Sequence, residues 1–210
     1  MKLYDFSLAP NPRRVRMFLA EKGVSIPSVQ VNTREREQFS EEFKRISPRC
    51  IVPVLELDDG TCIAESVSIC RYVEEIHPEP KLFGREAKEK AVVDMWNRHA
   101  ETDCYGAAAE MVRNGAPMFS DRGLPGQPSG VPQIPELVER GRRTIDRFMR
   151  YLDQQLANNP FVAGDVFSIA DITVFITIDF SQRANYQVPA DCNNVQRWRG
   201  EVASRPSASA

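Results

Sequence analysis

Apolar and polar residues alternate in two short stretches near the start of the chain, Lys2 to Phe6 and Ser28 to Val31. A period of two gives each stretch one apolar face, so both are predicted to be β-strands. The residues between them follow a helical period instead, and their apolar positions share one face: Val15, Phe18 and Leu19. A strand, a helix and a second strand in this order predict a parallel pair with a right-handed crossover.

The predicted first helix has recognisable ends. Asn11 suits an N-cap, Pro12 suits the first helical position, and Gly23 suits the position just past the last turn. The face opposite the apolar stripe is predicted to be solvated, and it carries Arg13, Arg14, Arg16, Glu21 and Lys22.

A hairpin pattern follows a polar segment and a short predicted helix at about Ser40 to Ile46. Val52 to Leu57 is apolar and rich in β-branched residues, and Thr61 to Ala64 can pair with it. Asp59-Gly60 between them supplies residue types that tolerate the positive φ angles of a tight turn. After Ala64 the period becomes helical again, so the order of elements is predicted to be β-α-β-α-β-β-α.

The hairpin and the helix after it carry three features that would fit one zwitterionic ligand with an extended backbone. Pro53 has no backbone donor, belongs to the residue type that adopts cis peptide bonds, and leaves the N–H of Val52 available. Ser66 is predicted to cap the next helix, whose N-terminus would attract a carboxylate. Glu65 could pair with an ammonium group. The alternative is an ordinary hairpin and helix with a serine cap and a solvated glutamate.

The pattern changes after residue 77, where two prolines and a glycine interrupt any regular element and predict a linker. Beyond the linker, helical periods predict helices over Ala87 to about Val112, Leu137 to Leu156 and Val195 to Val202. Residues 116–135 contain five prolines between two predicted helices. A loop of that length inside a domain is usually functional or mobile.

One apolar stretch, Phe167 to Phe180, favours a strand by its β-branched residues. Ser168 and Asp171, however, have the spacing of a capping box, so we predict a buried helix instead. The tail of small residues after the last helix is predicted to be frayed.

Composition narrows the classes of function. The chain has 210 residues, of which 42% are hydrophobic and 27% charged, as is typical of a soluble globular protein. Its net charge of -2 gives no support to binding of nucleic acid or an anionic membrane. The five cysteines form no CxxC pair and there are only two histidines, so no metal site is predicted. We expect a cytoplasmic protein, because no signal peptide or transmembrane stretch is evident.

Three motifs give the chain a resemblance to the cytosolic glutathione transferases over essentially its whole length. Val52-Pro53 looks like the family's cis-proline segment, Ala64-Glu65-Ser66 like its γ-glutamyl-binding motif, and Ser168 to Asp171 like its folding-associated capping box. None is specific alone, but all three occur in order at suitable separations. The start of the first helix is similar to bacterial members with a serine- or asparagine-type motif.

The resemblance implies an α/β plus all-α fold. Residues 1–77 would form a thioredoxin-like β-α-β-α-β-β-α domain, 78–85 a linker, and 86–210 a C-terminal helical bundle. It also implies a homodimer in which the sheet domain of one subunit packs against the helical domain of the other.

The same resemblance implies glutathione as co-substrate. Val52 would offer its backbone N–H and C=O to the cysteinyl part, beside a cis Pro53. Ser66 would hold the γ-glutamyl carboxylate, with Glu65 near the ammonium. Gln38 lies where many members place a polar or basic residue toward the glycyl end, although a solvated loop glutamine is the alternative.

Catalysis in this family keeps the glutathione sulfur as a thiolate, whereas a free thiol has a pKa of about 8.5. Alignment with the serine-type members puts Asn11 where the catalytic serine stands. Its NH₂ group could donate to the sulfur, or the residue could be only a structural cap. Ser7, on the preceding loop, is the alternative hydroxyl. Cys50 occupies a place where members often carry glycine. It could be a thiol near the substrate, or it could be an inert buried cysteine.

An electrophile pocket is predicted between the loop after the first strand, one helix and the proline-rich loop; its residues are Leu8, Tyr105, Met111, Met118 and Phe119. Three functions remain open at this point. The chain could conjugate glutathione to a hydrophobic electrophile. With Asn11 in place of a certain hydroxyl, it could be a glutathione-dependent disulfide reductase or related lyase. It could also be a non-catalytic glutathione-binding module.

Overall fold

Four short strands form one mixed sheet in the computed structural model, which describes all 210 residues. β1 (Lys2–Asp5) pairs in parallel with β2 (Ser28–Gln30) and antiparallel with β3 (Val54–Glu56). β3 pairs antiparallel with β4 (Cys62–Ala64), so the strand order across the sheet is β2-β1-β3-β4. The predicted parallel pair and the predicted hairpin are both confirmed.

Three helices cover this sheet: α1 (Pro10–Lys22), α2 (Glu41–Ile46) and α3 (Ser66–Ile76). Successive side chains of a strand point to opposite faces. Leu3 accordingly joins the main core with α1 and α3, whereas Tyr4 packs edge-on against Phe43 of α2. The predicted order of elements and the thioredoxin-like fold are confirmed.

The remainder of the chain is helical. Its helices are α4 (Ala87–His99), α5 (Gly106–Gly115), α6 (Pro135–Leu156), α7 (Ile169–Ser181) and α8 (Asn193–Ala203). A π-helical segment, Ala100–Tyr105, joins α4 to α5, so the single helix predicted there contains an irregular turn of a kind often found at functional sites. No helix combines the length and the apolar character needed to cross a bilayer.

The helix predicted for the ambiguous apolar stretch is confirmed as α7, which is buried along most of its length. Its N-terminus carries the predicted capping box between Ser168 and Asp171. Asp171 also accepts hydrogen bonds from the N–H of Val162 and from the indole of Trp198 in α8. One carboxylate therefore ties together a helix start, a loop and another helix.

The predicted solvated face of α1 is wrong for two of its charged residues. Arg14 and Lys22 are buried, because α1 packs against both α3 and α7. The Nζ of Lys22 pairs with Glu74 and donates to the carbonyl of His77. A helix between two domains has no fully solvated face, and periodicity within one helix does not reveal this.

Two predicted caps are also corrected. α1 begins at Pro10 with Ala9 as N-cap, so Asn11 is the second helical residue rather than the cap. Ser66 is the first residue of α3, and Glu65 occupies the N-cap position without a capping side-chain hydrogen bond.

The C-terminal tail is ordered, against the prediction that it frays. Pro206–Ser209 forms a short 3-10 turn that packs against α1. Ser207 is buried, and Arg205 forms an ion pair with Glu21 at 2.7 Å. These polar contacts stabilise an end that has few apolar side chains of its own.

The proline-rich loop docks on the sheet domain. Gly126 has φ +74° and lies so close to the carbonyl of Arg49 that a Cβ there would be 2.3 Å from its oxygen. Glycine tolerates both the positive φ and the close backbone approach. The loop therefore packs beside the segment that leads to Val52.

Candidate functional site

A free backbone edge lies just before β3. The Val52-Pro53 peptide bond is cis, as predicted. Neither the N–H nor the C=O of Val52 is hydrogen-bonded within the protein. This half-buried residue can therefore offer one donor and one acceptor to an extended ligand.

The start of α3 forms a second polar edge close in sequence to the first. Its first N–H groups have no partner inside the helix, so they and the helix dipole favour an anion. Glu65 holds φ at +66°, a sparsely populated conformation for a residue with a side chain, and such conformations cluster at functional sites. Its carboxylate forms an exposed ion pair with Arg49 at 2.7 Å.

Arg14 connects this edge to the helical domain. Its guanidinium donates to Ser66 Oγ at 2.9 Å and to Glu101 in the π-helical segment at 3.1 Å, and lies 5.3 Å from the ring centroid of Tyr105. Since Oγ accepts from Arg14, the hydroxyl hydrogen of Ser66 is free to donate elsewhere. Sequence reasoning did not identify Arg14 as a site residue, because it lies in a run of arginines that predicts a solvated helix face.

Asn11 and Tyr105 meet at the amino end of α1. Burial raises the pKa of the Tyr105 hydroxyl, with Arg14, Arg113 and the amide of Asn11 opposing the shift. The Asn11 amide is thus close to a hydroxyl that stays protonated at neutral pH. Asn11 Oδ1 is buried without a hydrogen-bond partner. The Tyr105 ring stacks on Phe180, with centroids 5.9 Å apart.

The loop after β1 is held by polar contacts to its backbone. The N–H of Ser7 donates to Gln30, and its carbonyl accepts from Arg16, while the hydroxyl of this exposed serine is free. The carbonyl of Leu8 accepts from Arg183, which follows α7. This loop, the start of α1 and the end of α7 enclose a cavity of about 160 Å³ that Phe180 also lines.

The remaining predicted site residues are dispersed. Gln38 is buried and its Oε1 has no hydrogen-bond partner, so it is not a solvated loop glutamine. Met111 lies fully buried in the core against Gly141 and does not line the cavity. Met118 is exposed on the proline-rich loop, and Phe119 lies against the guanidinium groups of Arg113 and Arg122.

Cys50 is partly exposed, forms no disulfide and holds φ at +54°. No three His, Cys, Asp or Glu side chains converge as a metal site would require.

Comparisons with known proteins agree with this architecture. Residues 9–76 match the family model described as the N-terminal domain of glutathione S-transferase, and residues 116–206 match its C-terminal domain. The chain is 36% identical to glutathione S-transferase 2 of Saccharomyces cerevisiae over 212 residues, covering 99% of this chain and 87% of the relative.

Solved structures give the same result. The crystal structure of a glutathione S-transferase domain-containing protein from Marinobacter aquaeolei is 36% identical, with a TM-score of 0.91 and 99% of each chain covered. That of Gtt2 from Saccharomyces cerevisiae is 34% identical with a TM-score of 0.90, covering 100% of this chain and 99% of that one. The chain therefore belongs to the cytosolic glutathione S-transferase superfamily and is an enzyme of the glutathione S-transferase class.

Proposed function

We propose that the enzyme joins the thiolate of glutathione to a small hydrophobic electrophile. The observation that carries this proposal is the position of Tyr105, whose ring stacks on Phe180 of the cavity wall and whose hydroxyl lies near the Asn11 amide. Two neutral hydrogen-bond donors at a helix N-terminus are suited to stabilise a sulfur anion there. The cavity beside them has apolar walls for the second substrate, including Leu8, Ile176 and Phe180.

Glutathione would lie along the two polar edges of the sheet domain. Val52 would pair through its backbone with the cysteinyl part, next to Pro53. Ser66 would donate its free hydroxyl hydrogen to the γ-glutamyl carboxylate, and Glu65 would face the ammonium group. The side-chain NH₂ of the buried Gln38 would donate to the carboxylate at the glycyl end.

The reaction needs no cofactor, because the second substrate itself accepts the electrons, either on its leaving group or in its acceptor bond. The thiol proton leaves to solvent, and the sulfur lone pair forms the new bond to carbon. For an aryl chloride, chloride departs with the electrons of the broken carbon–chlorine bond.

The backbone of α1 offers few donors to the sulfur. Pro10 and Pro12 lack an N–H, so the first three positions of α1 supply one backbone donor, that of Asn11.

The alternative proposal is glutathione-dependent disulfide reduction, favoured by Asn11 in place of a hydroxyl. Chlorodinitrobenzene and hydroxyethyl disulfide separate the two reactions in parallel assays on the same preparation. We expect conjugation of the chloride to dominate. Faster turnover of the disulfide would favour the alternative, and binding of glutathione with neither reaction would indicate a non-catalytic module.

A substitution in the same assay tests the glutathione site. Ser66→Ala removes a hydrogen bond to a charged group, worth about 1.5–3 kcal/mol, so we expect KM for glutathione to rise about tenfold or more. Ser68→Ala, on the exposed side of the same helical turn, is the matched control and should leave KM unchanged. Equal KM values in the two variants would remove Ser66 from the site.

We also propose that the enzyme is a cytoplasmic homodimer. Ile76 at the end of α3 and Met95 on α4 are both exposed, one on the sheet domain and the other on the helical domain. Burial of these side chains against a second copy would remove them from water. Light scattering at micromolar concentration should give twice the chain mass, and a mass of one chain would contradict the proposal.

A further inference from the structure

The cavity beside the β1–α1 loop combines apolar and cationic walls. Leu8, Ile176 and Phe180 provide the apolar part, and Arg13 and Arg183 reach it from α1 and from the residues after α7. A purely hydrophobic second substrate would use only the apolar part. The charged part therefore bears on which electrophiles the site selects.

The two arginines differ in how their charge is compensated. Arg13 donates to Asp179 at 2.7 Å and to the carbonyl of Ala208 at 2.9 Å. Asp179 is the one carboxylate in the cavity wall, and it also accepts from Arg199 at 2.9 Å. A single carboxylate shared by two guanidinium groups leaves no negative charge for a third.

Arg183 is that third group, and no carboxylate lies within 4.0 Å of its guanidinium. Its hydrogen bond to the Leu8 carbonyl fixes its position, and the guanidinium carbon lies 5.6 Å from the ring centroid of Phe180. Arg183 is exposed overall, but partial desolvation lowers the pKa of its guanidinium, and the charge of Arg34 lowers it further. Arg34 thus adds a second positive charge to the field around Arg183, and an anion there would reduce the repulsion.

We propose that the second substrate carries a carboxylate, which Arg183 binds while the apolar body of the substrate packs on Leu8 and Phe180. This inference rests on the proposed conjugation function and specifies its substrate class. A guanidinium has five N–H donors in a planar fork. One of these N–H groups donates to the Leu8 carbonyl, so the other N–H groups can donate to a carboxylate oxygen. Arg34 adds long-range attraction for the same charge.

The test uses unreactive probes, so that it does not depend on turnover. Dinitrobenzoate and dinitrobenzamide have similar ring and shape but differ in charge. Their binding is measured by calorimetry with S-methylglutathione present, on the wild type, on Arg183→Gln and on Arg140→Gln. Arg140 is an exposed arginine paired with Glu110 on α5 and serves as the control for loss of one positive charge.

We expect the benzoate to bind the wild type about tenfold more tightly than the amide. Arg183→Gln should abolish this difference with little effect on the amide, whereas Arg140→Gln should preserve it. An equal affinity for both probes in the wild type would overturn the proposal, as would a difference that survives Arg183→Gln.

Conjugation of chlorodinitrobenzamide tests the proposed conjugation function separately, because this substrate carries no carboxylate. Failure there with a retained benzoate preference would reject conjugation and keep the anion site.

Discussion

Replacing Asp171 by alanine is expected to lower the free energy of unfolding by about 4 kcal/mol or more. The carboxylate is fully buried and accepts four hydrogen bonds of 2.8–3.0 Å, from the N–H of Val162, the N–H and hydroxyl of Ser168, and the indole of Trp198. Each buried donor left without a partner costs about 1–3 kcal/mol. Since domains have only about 5–15 kcal/mol of stability, this one change removes a large fraction of it.

Burial does not leave Asp171 neutral at pH 7. It raises the pKa of the carboxyl to about 6, while the four donors act in the opposite direction. The group is therefore ionised at neutral pH and accepts all four bonds as a carboxylate. Asp171→Asn, which keeps the shape but turns one acceptor into a donor, should lose part of the same stability.

Urea unfolding followed by tryptophan fluorescence measures this effect, because Trp198 is itself buried at the site. The exposed Asp165, six residues earlier on the chain, gives a matched control as Asp165→Ala, with an expected change below about 0.5 kcal/mol. An unfolding free energy of Asp171→Ala within about 1 kcal/mol of the wild type would show that the four contacts do not stabilise the fold as argued.

The capping box illustrates what the sequence could predict. Ser168 and Asp171 interact over three residues, so their spacing alone indicates a helix start despite the strand-like residues that follow. The hairpin at Asp59-Gly60 and the strand after Val52 were likewise predictable from local pattern. Each of these features depends on contacts between residues close in sequence, where period and residue type carry the information.

Features that depend on contacts between the two domains were not predictable in this way. Arg14 was assigned to solvent because the helical period of α1 reveals one apolar face but not the second domain that covers the other. Tyr105 was expected to contribute a pocket wall, whereas its hydroxyl lies beside Asn11. Arg183 carries no local signal in the sequence, because its guanidinium is held by the carbonyl of Leu8, more than a hundred residues away along the chain.

Replacing Asn11 by alanine is expected to reduce kcat/KM for conjugation by about ten- to a hundredfold. The amide NH₂ is the side-chain donor that α1 itself presents at its amino end, beside Tyr105. Hydrogen bonds to charged groups contribute about 1.5–3 kcal/mol, which corresponds to this range of rate. The loss should appear mainly as a higher pKa of bound glutathione, moving from a depressed value back toward about 8.5.

The ultraviolet absorbance of the thiolate, titrated against pH with glutathione bound, measures that pKa directly. Ser7→Ala is the matched comparison, because Ser7 carries the other candidate donor on the adjacent loop and its hydroxyl is free of hydrogen bonds. Tyr105→Phe removes the neighbouring hydroxyl and should raise the thiol pKa as well, since both donors face the same sulfur in the proposed site. Glutathione affinity measured near pH 5, where the bound thiol is largely protonated, should change little in Asn11→Ala, because Val52 and Ser66 hold the rest of the molecule.

The four proteins together assign the donor. A pKa that rises in Asn11→Ala and Tyr105→Phe but not in Ser7→Ala places the activated sulfur between α1 and the π-helical segment. A rise in Ser7→Ala alone would transfer the role to the loop after β1. An unchanged pKa in all three variants would mean that the helix dipole and the Asn11 backbone N–H suffice, and the side-chain mechanism proposed here would be rejected.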